Sequence, residues 1–192
     1  QTPKELLKIF WEIIRSENDF YTSVDKAFSE IDSRWKTAKG LLVLGTHSPK
    51  GVEKKIAKIK EAREKGIPTL GICFGMQLMA IEYARNVLGI KDATSEEFGK
   101  GIFVVKKLRE MRVGAYEIDS WWGTTKESHW HRYYIDEEYI KDCDTSAFKD
   151  IPEIIKLPNH KFFVGVQFHP EYQSSRDVPH PLLVEFLQQC KK

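Results

Sequence analysis

Two short stretches hold residues whose types and spacing could do chemistry. One is Gly71-Ile72-Cys73-Phe74-Gly75, a cysteine with a glycine two places away on either side. The other is His169-Pro170-Glu171, an imidazole and a carboxylate separated by a proline. A cysteine nucleophile needs a base to take its proton and, usually, a third group to orient that base. On an extended backbone, residues two apart share a side, so the Glu171 carboxylate can reach back to the His169 ring. Each stretch also has a plainer reading. Cys73 fits a buried cysteine in a Gly-flanked turn, and His169 fits a cap at a strand end.

The chemical reading requires particular elements around these residues. A nucleophile at the tip of a strand-to-helix turn tolerates only small neighbours two places either side, as Gly71 and Gly75 are. Ile67–Ile72 reads as a buried strand and Gln77–Leu88 as a helix closed by Gly89, with helical structure beginning just after Cys73. The positive end of that helix would face the sulfur and favour thiolate. His169 follows the apolar run of "VGVQF" and would emerge at the C-terminal edge of a core strand, where open α/β sheets bind ligands.

Upstream, "GLLVLG" (Gly40–Gly45) reads as a buried parallel strand. Next, "VEKKIAKIKEAREK" reads as a helix with Val52, Ile56 and Ile59 inward, lysines on a solvated face and Gly66 as its stop. Earlier still, "NDFYTSVDKAFSEI" places Val24, Ala27, Phe28 and Ile31 at helical spacing, with Asp19 or Ser23 as N-cap. "LLKIFWEII" fits either strand or helix. Downstream, "GIFVVKKL", "MRVGAYEID" and "HWHRYYID" read as strands of a less regular part. "PEIIKL" and "KFFVGVQF" form a hairpin through "PNH", and "PLLVEFLQQC" is a closing helix with Leu183, Phe186 and Leu187 on one side. The expected class is α/β, a mostly parallel open sheet with helices on both faces.

At 192 residues, 41% hydrophobic and 30% charged, the chain fits one soluble domain, residues 1–192. A net charge of +2, with both signs mixed along the chain, gives no footprint for nucleic acid or an anionic membrane. No apolar run approaches the ~20 residues of a membrane span. Three widely spaced cysteines, Cys73, Cys143 and Cys190, point to a reducing compartment, and a cytoplasmic protein is expected. His129 and His131 alternate along a strand and would share a side, but no ligand cluster joins them at metal spacing. Neither a metal nor another cofactor is expected. Trp121 and Trp122 suit partial burial or a partner patch, and Cys143 and Cys190 read as bystanders.

Taken together, the cysteine and histidine stretches resemble the class I, triad-type glutamine amidotransferases, whose nucleophile lies in G-x-C-x-G and whose base and orienter lie in H-P-E. "IPTLGICFGMQLMAIEYARNVLGIKDATSEEF", "LPNHKFFVGVQFHPEY" and, more loosely, "ESHWHRYYID" are similar to the glutaminase domains of CTP synthase. The resemblance runs from Lys39 to Pro181. It implies a flavodoxin-like α/β fold and hydrolysis of L-glutamine to glutamate and ammonia through a γ-glutamyl thioester. Cys73 would attack, His169 would carry the proton and Glu171 would orient His169. Phe74 would offer a backbone oxyanion donor, and Gln77, Glu97 and Arg132 would line the glutamine site. The implied partner is an ammonia-accepting synthetase domain or subunit. No stretch of this chain resembles the P-loop such a synthetase needs.

The chain departs from the family in the second oxyanion element. Where the family has P-G-G-F-G, this chain has Leu44-Gly45-Thr46-His47-Ser48, leaving Gly45 and Thr46 at the donor position and His47 or Ser48 as substitute donors. β-Branched Thr46 disfavours the backbone conformation such a loop adopts. Two functions follow, a working glutaminase or a catalytically impaired amidotransferase-like binding or regulatory module. A hydrolase acting on another γ-glutamyl amide is a third use of the same triad.

Overall fold

The structure, a computed structural model, describes residues 21–22, 40–44, 51–173 and 180–191. Its main sheet has six strands in the order β1-β2-β3-β9-β8-β7. These are β1 (Tyr21–Thr22), β2 (Leu41–Val43), β3 (Thr69–Ile72), β7 (Asp144–Phe148), β8 (Ile151–Lys156) and β9 (Phe163–Val166). β1, β2, β3 and β9 are parallel, whereas β8 and β7 add on antiparallel at one edge. The "PEIIKL" and "KFFVGVQF" segments therefore pair as read from sequence.

The alternation of apolar residues explains the layering. Leu41 and Val43 face one side with Ile56 and Ile59 of α1 (Val52–Lys65) and Met76, Ala80 and Ile81 of α2 (Phe74–Asn86). Leu42, Leu70, Ile72, Val164 and Val166 face the other, against Leu182, Leu183 and Phe186 of α3 (Pro181–Lys191). Strands apolar on both sides can be satisfied only between two helical layers, which is the α/β sandwich expected. α3 is anchored at its start by His180, whose Nδ1 accepts from the Leu182 amide (3.1 Å) while Nε2 meets Glu127 Oε1 at 2.6 Å.

A second sheet, β4 (Ala93–Ser95), β5 (Ile102–Ser120) and β6 (Gly123–Ile135), packs Ala93, Val104, Val105 and Ile135 into the same core as α2. The two segments "GIFVVKKL" and "MRVGAYEID" are one 19-residue strand, with a register shift between Lys107 and Arg112 where the sequence turns highly charged. Three further expectations change. Tyr21 and Thr22, read as part of a helix, pair as a strand with Leu41 and Leu42; the remaining residues of that helix and "LLKIFWEII" lie outside the described residues. The second helix begins just after Cys73, at Phe74, but ends at Asn86 rather than Leu88. The charged face of α1 is not wholly solvated. Lys55 is buried, and Arg63 Nε reaches both oxygens of the fully buried Glu82 on α2 at 2.9 and 3.0 Å. Burial pushes the Glu82 carboxyl up, and Arg63 pulls it partly back. Among the described residues no helix is long and apolar enough to cross a membrane.

Candidate functional site

Cys73 sits between β3 and α2 with φ 53° and ψ −106°, a strained conformation for a side-chain-bearing residue. The turn is tight because both flanking glycines are spatially required. A Cβ on Gly75 would stand 1.9 Å from Val43 O, and one on Gly71 would stand 2.8 Å from the Gly75 carbonyl carbon. The cysteine backbone is pinned as well, since its N–H donates to Val166 O at 2.7 Å. Phe74, directly after it, supplies the first amide of α2, one of those that a helix leaves without an internal partner. Gly45 and Thr46 lie outside the described residues.

His169 and Glu171 arrive from the neighbouring strand, β9, which pairs with β3 in register. Pro170 opens a short 3₁₀ turn, Pro170–Gln173, that brings Glu171 Oε1 to 2.6 Å from His169 Nδ1. This turn, rather than an extended backbone, is what folds the carboxylate back. The imidazole also lies flat against Tyr172, with ring centroids 4.8 Å apart and 11° between planes, and its backbone N–H donates to Ser128 O at 2.8 Å. Burial pushes the His169 ring down, but hydrogen bonds to Cys73 and Glu171 and their negative charges outweigh it and raise the ring to about 10. Because Nδ1 is engaged by Glu171, Nε2 is the nitrogen left to face the sulfur. The Cys73 thiol itself donates to Trp130 O at 3.8 Å.

The remaining residues singled out in the sequence fall into two groups. Gln77, on the first turn of α2, is buried and donates from Nε2 to Tyr133 O at 3.0 Å. Glu97 is exposed in the turn after β4, where its backbone N–H donates to Ser95 Oγ (3.2 Å). The adjacent Phe98 packs edge-on against Phe74 at 5.9 Å, so that turn borders the cysteine. Arg132 is exposed on β6, two residues from Trp130 and therefore on the same face as that exposed indole. Thus His169 and Glu171 meet directly on the strand beside Cys73, Gln77 is buried on the helix that follows Cys73, and Glu97 and Arg132 are exposed.

Residues 14–189 match the family model of class I glutamine amidotransferases. The chain belongs to that family. CTP synthase of Bdellovibrio bacteriovorus is 41% identical over 186 residues, covering 80% of this chain and 35% of that protein. CTP synthase of Methanoculleus marisnigri is 35% identical over 201 residues, covering 85% and 38%. The chain spans little more than a third of the length of these curated relatives. Among solved structures, the glutaminase domain of Trypanosoma brucei CTPS with bound acivicin aligns with a TM-score of 0.77 at 29% identity, covering 85% of this chain and 75% of that one. A Thermotoga maritima glutamine amidotransferase, at 17% identity and a TM-score of 0.57, shares the fold.

Two further groups of polar side chains are buried. His129 and His131 do share a buried side; both ring nitrogens of His129 are engaged by the protein, whereas among the described residues His131 is held through Nδ1 alone. His129 Nε2 meets Glu153 Oε2 at 2.6 Å, Arg112 also holds Glu153, and His131 Nδ1 donates to Tyr133 O at 2.8 Å. Among the described residues no group of three or more His, Cys, Asp or Glu side chains could hold a metal ion. Gln167, fully buried, donates from Nε2 to Cys73 Sγ at 3.6 Å. The available signal was an uncharged amide inside the otherwise apolar run before His169.

Proposed function

We propose that this amidotransferase domain hydrolyses the side-chain amide of L-glutamine through Cys73, His169 and Glu171. The observation that carries the reading is the buried His169–Glu171 pair on the strand beside a strained cysteine at a helix start. Sγ attacks the amide carbon and its proton passes to His169 Nε2. Glu171, on Nδ1, holds the ring in place and stabilises the imidazolium. The imidazolium, stabilised by Glu171 on Nδ1, then hands that proton to the departing ammonia. Collapse leaves a γ-glutamyl thioester, and a water deprotonated by His169 then releases glutamate and regenerates the thiol.

The oxygen that becomes negative is met by the Phe74 amide at the positive end of α2, with the Gly45–Thr46 stretch as the second donor. Gln77, Glu97 and Arg132 surround the amino-acid portion of the substrate, with Glu97 suited to a free α-amino group. The ammonia goes to a synthetase domain or subunit, and the chain's likeness to a third of each CTP synthase relative supports a role in CTP formation and pyrimidine biosynthesis. Residues 1–192 act as one domain in the cytoplasm, where thiols such as Cys73, Cys143 and Cys190 stay reduced.

The altered Leu44–Ser48 loop favours a second reading, a module that binds glutamine and turns it over poorly, since losing one oxyanion donor costs roughly 10²–10³ in rate. Intact-protein mass spectrometry after exposure to a glutamine-like electrophile separates the two. A single adduct, blocked by excess glutamine and lost in Cys73→Ala, supports hydrolysis. Absence of an adduct, or labelling spread over Cys143 and Cys190, supports the inactive module.

A further inference from the structure

The geometry points to Gln167 as a further residue of the reaction centre, one that holds the Cys73 sulfur through an amide N–H and favours its negatively charged form. This inference rests on the reading of Cys73 as the nucleophile and adds a group to it.

The argument begins with which end of the Gln167 amide faces the sulfur. The Tyr133 carbonyl can only accept, so the Gln77 atom that meets it at 3.0 Å must be the nitrogen. The same nitrogen lies 3.3 Å from the Gln167 side chain, and a donor there requires Gln167 to present its oxygen. Its own nitrogen is thereby left to point at Cys73 Sγ, 3.6 Å away. The orientation is dictated by a chain of donors and acceptors anchored on a strand carbonyl. The brace is rigid at its base as well, because the Gln167 backbone N–H donates to Glu153 O at 2.8 Å and the residue is fully buried.

The consequence depends on the charge of the sulfur. As a neutral thiol, Cys73 donates to Trp130 O and accepts from Gln167. On losing its proton it no longer bonds to the Trp130 carbonyl, which then opposes the negative charge. Among the described residues, Gln167 is a neutral donor to the sulfur that remains. A hydrogen bond to an anion is worth more than one to a neutral acceptor, so Gln167 stabilises the attacking form more than the resting one. Placed in a buried setting, this donor cannot be replaced cheaply by water.

The test compares alkylation of Cys73 by iodoacetamide, which needs no glutamine pocket, in the natural sequence, Gln167→Met and Gln167→Glu. Site-resolved mass spectrometry follows the label, and absorbance of the thiolate near the ultraviolet edge, taken as the difference from Cys73→Ala, follows the anion. Met keeps the shape and removes the donor; Glu keeps the shape and places a carboxylate against the sulfur. At neutral pH both variants are expected to react about tenfold more slowly or worse, with thiolate absorbance reduced and Glu the lower. At strongly alkaline pH, where the thiol ionises regardless, the Met variant should recover the natural rate. Folded variants with natural rates and absorbance at neutral pH would overturn the assignment. A deficit persisting unchanged into alkali would also overturn it, since that marks a purely structural role. If Met prevents folding, the Glu comparison decides alone. Failure of glutamine to protect the natural protein would count against glutamine hydrolysis, while the iodoacetamide comparison would still decide the role of Gln167.

Discussion

Replacing Gly75 by alanine tests how tightly the fold and the candidate site are joined. The new methyl carbon would lie 1.9 Å from Val43 O, 2.8 Å from Val43 C and 3.1 Å from Val43 Cβ. The first two are backbone atoms of β2, which is hydrogen-bonded to β3 through the Val43–Gly71 pair, so no side-chain rotation relieves the overlap. Overpacking of this kind costs about 3 kcal/mol or more where backbone must move. At ~2–4 °C per kcal/mol for a chain of this size, the melting temperature should fall by roughly 6–12 °C. The displacement acts where β2 packs against the start of α2, directly after Cys73, so labelling of Cys73 by a glutamine-like electrophile should slow as well. Gly66→Ala is the control. Gly66 has φ 69° with nothing within 4 Å of an added Cβ, so only the left-handed backbone matters, at about 1 kcal/mol. Thermal melts by circular dichroism and labelling kinetics on both variants decide. A Gly75→Ala protein that melts no lower than Gly66→Ala and labels at the natural rate would refute the reasoning.

Three other outcomes are expected. Burial lowers His131 to about 4 from 6.5, so the unfolded chain takes up its proton first on acidification; stability is full above about 6.5, falls as pH drops toward 4, and loses up to about 3 kcal/mol. Urea titrations across that window should show a flatter profile for His131→Asn. Arg63→Met leaves the buried Glu82 carboxylate without its partner and should cost about 3 kcal/mol in urea unfolding, with Glu82→Gln in that background recovering part of the loss. Cys73→Gly relieves the strained φ 53°, ψ −106° turn, and a melt about 1 kcal/mol more stable than Cys73→Ala is expected, with no covalent chemistry in either.

What the sequence made legible follows periodicity and spacing. The strand "LLV", α1 with its Gly66 stop and the β8–β9 hairpin each announce themselves through a run of apolar residues between turn formers. The pairing of Glu171 with His169 was legible from their spacing, although a 3₁₀ turn rather than an extended backbone brings it about. The merged β5 was not, because a charged stretch, Lys106 to Arg112, interrupts the apolar signal while the long hairpin with β6 carries the strand through. Nor was the Arg63–Glu82 pair, since a charge on a helix face looks solvated until the partner helix is placed. Gln167 illustrates the same limit. Its value depends on which atom of which neighbour it meets, and no spacing rule encodes that.

Rapid-quench mass spectrometry of the intact protein mixed with L-glutamine tests the central claim most directly. A transient adduct with the mass of one γ-glutamyl group, mapped to Cys73, absent from Cys73→Ala and longer-lived in Glu171→Gln, is the predicted result. A folded protein that binds glutamine yet forms no such adduct at any time would contradict the account.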